Sequence, residues 1–99
     1  AEDALGDRAA ATKDLRATLA VAEKLGAADP SNVLWQWNLF AAHYQLAQVG
    51  ETPAEHLGIG LAVLERLVAE GRLPADRKEW PDKVRAELEA AGSQAGKRL

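Results

Sequence analysis

Two histidines, a Gly-x-Gly, a serine in a turn and a few acid pairs are the groups in this chain that could do chemistry, and none sits in a reactive constellation. His43 and His56 lie 13 positions apart. Neither has an acid at metal-ligand spacing on its own helical face. His43 reads as an amphipathic residue at the edge of a core stripe, and His56 as a polar residue in a helix's first turn. Gly58-Ile59-Gly60 lacks the third glycine of a dinucleotide fingerprint, because Val63 stands there and no strand precedes it. Close packing is the better account, with Gly60 letting a neighbouring helix approach. Each glycine costs a helix about 1 kcal/mol relative to alanine, so a compensating contact is expected. Ser31 reads as a helix cap rather than a nucleophile, for want of an activating base nearby. Glu87/Glu89 and Asp76/Glu79 are interleaved with Lys83, Arg85, Arg77 and Lys78, the mixture of a solvated face. The chain has no cysteine, which excludes disulfides, thiolate metal sites and cysteine nucleophiles. The expectation is a protein without catalysis, cofactor or metal.

Composition narrows the class further. With 99 residues there is room for one modest core and no more. The 47% hydrophobic and 27% charged content is that of a globular domain rather than a disordered one. A net charge of −3 lacks the basic footprint that phosphate contacts require, so nucleic acid is not an expected partner. The longest uncharged run, Asn32 to Gly50, is about as long as a membrane span. It carries Asn32, Gln36, Asn38, His43, Gln45 and Gln48, which suits a buried helix of a water-soluble domain and not a lipid-facing one. A cytoplasmic location is expected, with no membrane contact. The chain contains no methionine even at position 1, so Ala1 reads as a processed end or a boundary within a longer protein.

Turn signals divide the chain into four segments: Asp29-Pro30-Ser31-Asn32, Gly50-Glu51-Thr52-Pro53 and Gly71-Arg72-Leu73-Pro74. Thr52-Pro53-Ala54-Glu55 has the form of a capping box with proline at the first helical position. Gly50 and Gly71 stand where helix C-caps belong. Apolar residues recur at helical spacing in each outer segment: Ala11, Leu15, Leu19 and Ala22 in the first; Leu57, Leu61, Leu64 and Val68 in the third; Trp80, Val84, Leu88 and Ala91 in the fourth. The last helix should begin at Pro81, after a separate short turn over Asp76–Glu79. No stretch alternates with period two. The expected class is all-α.

The first and third segments also resemble each other. Laying Ala11–Leu25 over Pro53–Leu67, an offset of 42 residues, pairs Leu15 with Leu57, Leu19 with Leu61, Ala20 with Ala62, Val21 with Val63, Glu23 with Glu65 and Leu25 with Leu67. The stretch from Gly6 to Leu25 resembles the second helix of a tetratricopeptide-type repeat. Ala27-Ala28-Asp29-Pro30-Ser31-Asn32 with Trp35, Gln36 and Leu39 is similar to the linker and first helix of long bacterial repeats of that kind. The resemblance covers about Gly6 to Val68. The chain departs from the family in a period above the usual 34 or so residues, in Gly58 and Gly60 within the third helix, and in Thr52-Pro53 at the turn. The resemblance implies antiparallel helix pairs stacked as a short right-handed superhelix of about four helices. It divides the chain into the second helix of a truncated repeat (1–28), a helix pair (29–71) and a capping helix (75–91); the tail 92–99 has no periodicity and is expected to fray. It further implies that Ala1–Leu5 is the last turn of a missing helix and that the chain is the C-terminal part of a longer array, acting in protein–protein recognition or scaffolding.

The second helix, Val33 to Val49, carries the candidate site. At about 100° per residue, Trp35, Leu39, Ala42, Leu46 and Val49 form one apolar face. Trp37, Phe40, Ala41 and Tyr44, with Gln48 at the end, form another roughly opposite. Three aromatic rings of about 150–250 Å² each are more than soluble monomers usually leave exposed in one patch. Two readings stand: the aromatic face packs on neighbouring helices, on a missing upstream repeat or on a second copy of the chain, or it docks a protein or peptide. Under the resemblance the packing side is Leu39, His43, Leu46 and Ala47, and the groove side is Trp37, Ala41, Tyr44 and Gln48. A purely structural cap or self-association module is the alternative function. The terminal helix should cover the apolar face of Leu57–Val68.

Overall fold

Two glycines with positive φ close the chain's second and third helices and set where it turns back. The computed structural model describes residues 2–97, with side chains from 8 to 92. It contains four α-helices: α1 (Glu2–Ala28), α2 (Val33–Gln48), α3 (Pro53–Ala69) and α4 (Trp80–Lys97), with a 3-10 turn at Ala75–Arg77. Among the described residues there is no strand.

Gly50 (φ 85°) follows α2 and Gly71 (φ 68°) follows α3. In each case the glycine N–H bonds back to a carbonyl of the last turn, and the next residue reaches one residue further. Gly50 donates to Ala47 and Glu51 to Leu46; Gly71 donates to Val68 and Arg72 to Leu67. This double closure needs the left-handed backbone that glycine adopts without a Cβ penalty.

The helix starts differ from expectation in detail. At α2 the cap is Asn32, whose Oδ1 accepts from the Trp35 N–H at 3.1 Å, while Ser31 Oγ instead donates to Asp29 Oδ1 at 2.6 Å. At α3, Pro53 takes the first helical position as expected, but Thr52 makes no side-chain cap bond. Its φ of 35° puts a β-branched residue in left-handed backbone, so the expected capping box does not form. Glu2–Leu5 belong to α1 rather than to a separate preceding helix, and Ala1 lies outside the described residues. A lone Gly6 costs too little to end a helix otherwise built of strong formers. α4 runs on through 92–97, expected as a frayed tail; residues 98 and 99 lie outside the described residues.

Each helix packs on the next in the chain. The core lies between α2, α3 and α4, where Phe40, Leu57, Leu61, Leu64 and Val84 bury one another. α4 docks on α3 as its stripe requires, Val84 fully buried and Trp80 and Leu88 half-buried against the same cluster. One stripe residue is reassigned: Val68 is exposed and Leu67 is buried in its place. The stripe therefore rotates by one position in the last turn of α3. No helix among the described residues is long and apolar enough to cross a membrane.

Candidate functional site

The five residues expected to form a partner-binding face divide among three environments. Trp37, Phe40 and Tyr44 come together, and Trp80 of α4 inserts among them. Its ring meets Trp37 at 5.8 Å, Phe40 at 5.7 Å and Tyr44 at 5.3 Å between centroids, all edge-to-face. That is the favoured geometry for aromatic quadrupoles. Phe40 is only 2% exposed, and its ring lies 5.0 Å from Trp37 and 5.6 Å from Tyr44. Arg77 stacks its guanidinium 4.1 Å from the Trp37 ring centroid, and Lys83 sits 4.5 Å from that of Trp80. The aromatic face is thus occupied by α4, which is the first of the two readings of that face.

Tyr44 and Gln48 continue this seam in polar form. The Tyr44 hydroxyl donates to Glu87 Oε1 at 2.9 Å, and Gln48 Nε2 reaches Glu87 Oε2 at 3.5 Å. Partial burial, then the hydrogen bond and the negative charge of Glu87, push the Tyr44 pKa up from 10 to about 12. Ala41 belongs elsewhere. It lines a cleft of about 430 Å³ between α1 and α2, with Thr18, Val21, Ala22, Leu25 and Asn38 among its neighbours. α1 contributes Thr18, Val21, Ala22 and Leu25, and α2 contributes Asn38, Ala41, Ala42 and Gln45. Both sets have the i, i+3, i+4, i+7 spacing of one helix face, and none is charged. Two of the lining side chains are large, apolar and open to water: Val21 (58% exposed) and Leu25.

A buried polar seam joins α1, α2 and α3 on the other flank. Gln36 is 2% exposed, and both ends of its amide are satisfied. Its Nε2 donates to the Gly26 carbonyl at 3.1 Å and its Oε1 accepts from Arg66 Nη2. Gly26 keeps this approach close, since a Cβ there would lie 3.2 Å from that Nε2. Two turns further along α2, His43 meets His56 of α3, their Nδ1 atoms 2.9 Å apart. Burial first, and then the neighbouring His56, lower the His43 pKa below 6.5; Glu23 and Glu55 oppose this. In the sequence the two histidines stand apart. Their 13-residue separation crosses a turn and fits neither a helical nor a strand period, so no local pattern signals the pair. Among the described residues no group of three or more His, Cys, Asp or Glu side chains is arranged to hold a metal ion.

Comparison with protein-family models, with curated proteins and with solved structures finds no match for this chain.

Proposed function

We propose that this chain is a non-catalytic, tetratricopeptide-like helical module that binds a protein or peptide partner in the groove between α1 and α2. The observation that carries the reading is the neutral, open cleft between those helices, with exposed Val21 and Leu25 in its lining. Two helices offering matched i, i+3, i+4, i+7 rows suit an apolar segment laid along them. Of the residues expected to bind, Ala41 lines this groove. Trp37, Tyr44 and Gln48 lie further round α2 at the seam with α4, where their outer edges are within reach of a large partner. The tetratricopeptide-like character is supported by the sequential packing of α1 to α4 and by the repeat between α1 and α3.

The test is affinity capture with three chains: wild type, Val21→Glu and, as a control on an exposed apolar residue far from the groove, Val68→Glu. A partner bound in the groove is retained by wild type and Val68→Glu and lost by Val21→Glu, with all three sharing one urea midpoint. Identical captured proteins on all three chains would overturn the groove.

The closure of the aromatic face by Trp80 favours a second reading, a structural cap or self-association module. In that case Val21→Glu leaves the captured proteins unchanged. If copies join through the rim of the aromatic face, the sedimenting mass of wild type rises with concentration and that of Trp37→Ala does not.

A further inference from the structure

The His43–His56 contact is an unusual thing to bury. His43 is 4% exposed on α2, and His56 is half-buried in the first turn of α3. The rings are 5.1 Å apart between centroids and tilted by 39°. A hydrogen bond between two Nδ1 atoms needs one proton between them: one ring donates its Nδ1–H and the other offers its Nδ1 lone pair. The closed pair therefore exists as two neutral rings of opposite tautomer, or as one imidazolium shared with one imidazole. A further proton turns the contact into N–H against N–H, with two cations about 5 Å apart and one of them, His43, buried.

We propose that the His43–His56 pair is a proton-operated latch on the α2–α3 seam, closed while one proton lies between the rings and released when both are cationic. The charged groups around it are Glu23 from α1, and Glu55 and Arg66 from α3. The two carboxylates favour a charge on His43, but neither supplies an acceptor between the rings. The latch also borders the tightest contact of the seam. A Cβ at Gly60, one turn beyond His56, would lie 3.1 Å from the Phe40 ring and 3.8 Å from His43 Cβ. Separation of the rings therefore loosens the approach of α3 to Phe40 and, through it, the aromatic cluster under Trp80.

Linkage gives the sign. A histidine whose folded pKa is below its unfolded value of about 6.5 contributes stability above that pH. The contribution is lost as the pH falls from there through the folded value.

Two measurements test the latch. Nitrogen NMR of the imidazoles at pH 7.5 should find one ring protonated at Nδ1 and the other at Nε2. On acidification the pair should take up its protons in two separate steps. Urea unfolding from pH 7.5 down to about 5.5, above the carboxylate range, should find the wild-type folding constant falling by up to about tenfold per pH unit below 6.5. His56→Gln, at the less buried position, should weaken that slope and leave a single imidazole step; His43→Gln should flatten it. Nε2–H tautomers on both rings, or a wild-type slope retained in His56→Gln, would overturn the proposal. Both of these outcomes are readable even if His43→Gln does not fold.

Discussion

The two flanks of α2 are packed by different means. Toward α3 and α4 it offers Phe40, Ala47 and the half-buried Trp37 and Tyr44 to a continuous apolar cluster that holds Leu61, Leu64 and Val84. No residue of α1 with a described side chain belongs to that cluster. Toward α1 the seam contains small buried residues, Ala22 and Ala42, the Gln36 link to the Gly26 carbonyl, and an open cleft. Large interlocked rings hold one side, where any change of volume is felt at once. Small side chains and the Gln36 hydrogen bond hold the other, which leaves surface free for a partner.

Side-chain truncation tests this difference most strongly. Phe40→Ala should cost about 3–5 kcal/mol, the transfer term plus the cavity left among three aromatic neighbours. Val21→Ala, on the exposed side of α1, should stay within about 0.5 kcal/mol. Urea midpoints of the two variants measure the contrast, and equal losses would erase it.

A smaller effect separates two glycines of one helix. A Cβ at Gly60 meets the Phe40 ring at 3.1 Å, whereas one at Gly58 meets nothing within 4 Å. Phe40 is wedged between Trp37, Tyr44 and Trp80 and has little room to yield. Gly60→Ala should therefore lose about 1–3 kcal/mol by overpacking. Gly58→Ala should gain up to about 1 kcal/mol from helix propensity alone. A gain in both would mean that α2 and α3 are less closely seated than the geometry requires.

The smallest effect concerns the outer edge of the aromatic seam. Tyr44, the chain's only tyrosine, should resist ionisation until about pH 12 in an ultraviolet absorbance titration. Its folded pKa lies above the ordinary value of 10, so its contribution to stability is whole below pH 10 and is lost as the pH rises toward 12. Glu87→Gln removes the negative charge and should bring the transition down toward 10. A wild-type transition already near 10 would mean that α4 does not hold Glu87 against Tyr44.

These contrasts follow how much each residue announces from its own neighbourhood in the chain. The helices and the ends of α2 and α3 were legible, because Gly50, Gly71 and Pro53 impose backbone conformations that depend on nothing distant. The docking of α4 was legible too, since Trp80, Val84 and Leu88 form a stripe that must be covered. Periodicity could identify a second apolar face on α2 but not its occupant. Trp80 reaches that face from 36 positions beyond Tyr44, across a long reversal. The cap at α2 was displaced by one residue because Ser31 and Asn32 are equally good candidates locally; the choice was made by Asp29, which accepts from Ser31. The histidine pair and the Gln36 link were invisible for the same reason as Trp80. Both join side chains whose meeting depends on helix crossing rather than on spacing within a helix.

The sequential packing of the four helices also has a kinetic meaning. Reversals over residues 29–32, 49–52 and 70–79 bring each helix onto its neighbour, so little loop-closure entropy is lost before a seam begins to form. No segment has to wait for a distant one to arrive and pair with it. Chains whose native contacts are this local fold in microseconds to milliseconds. Here the time to reach the native state is that of growing helices and docking neighbours, with no search across the length of the chain.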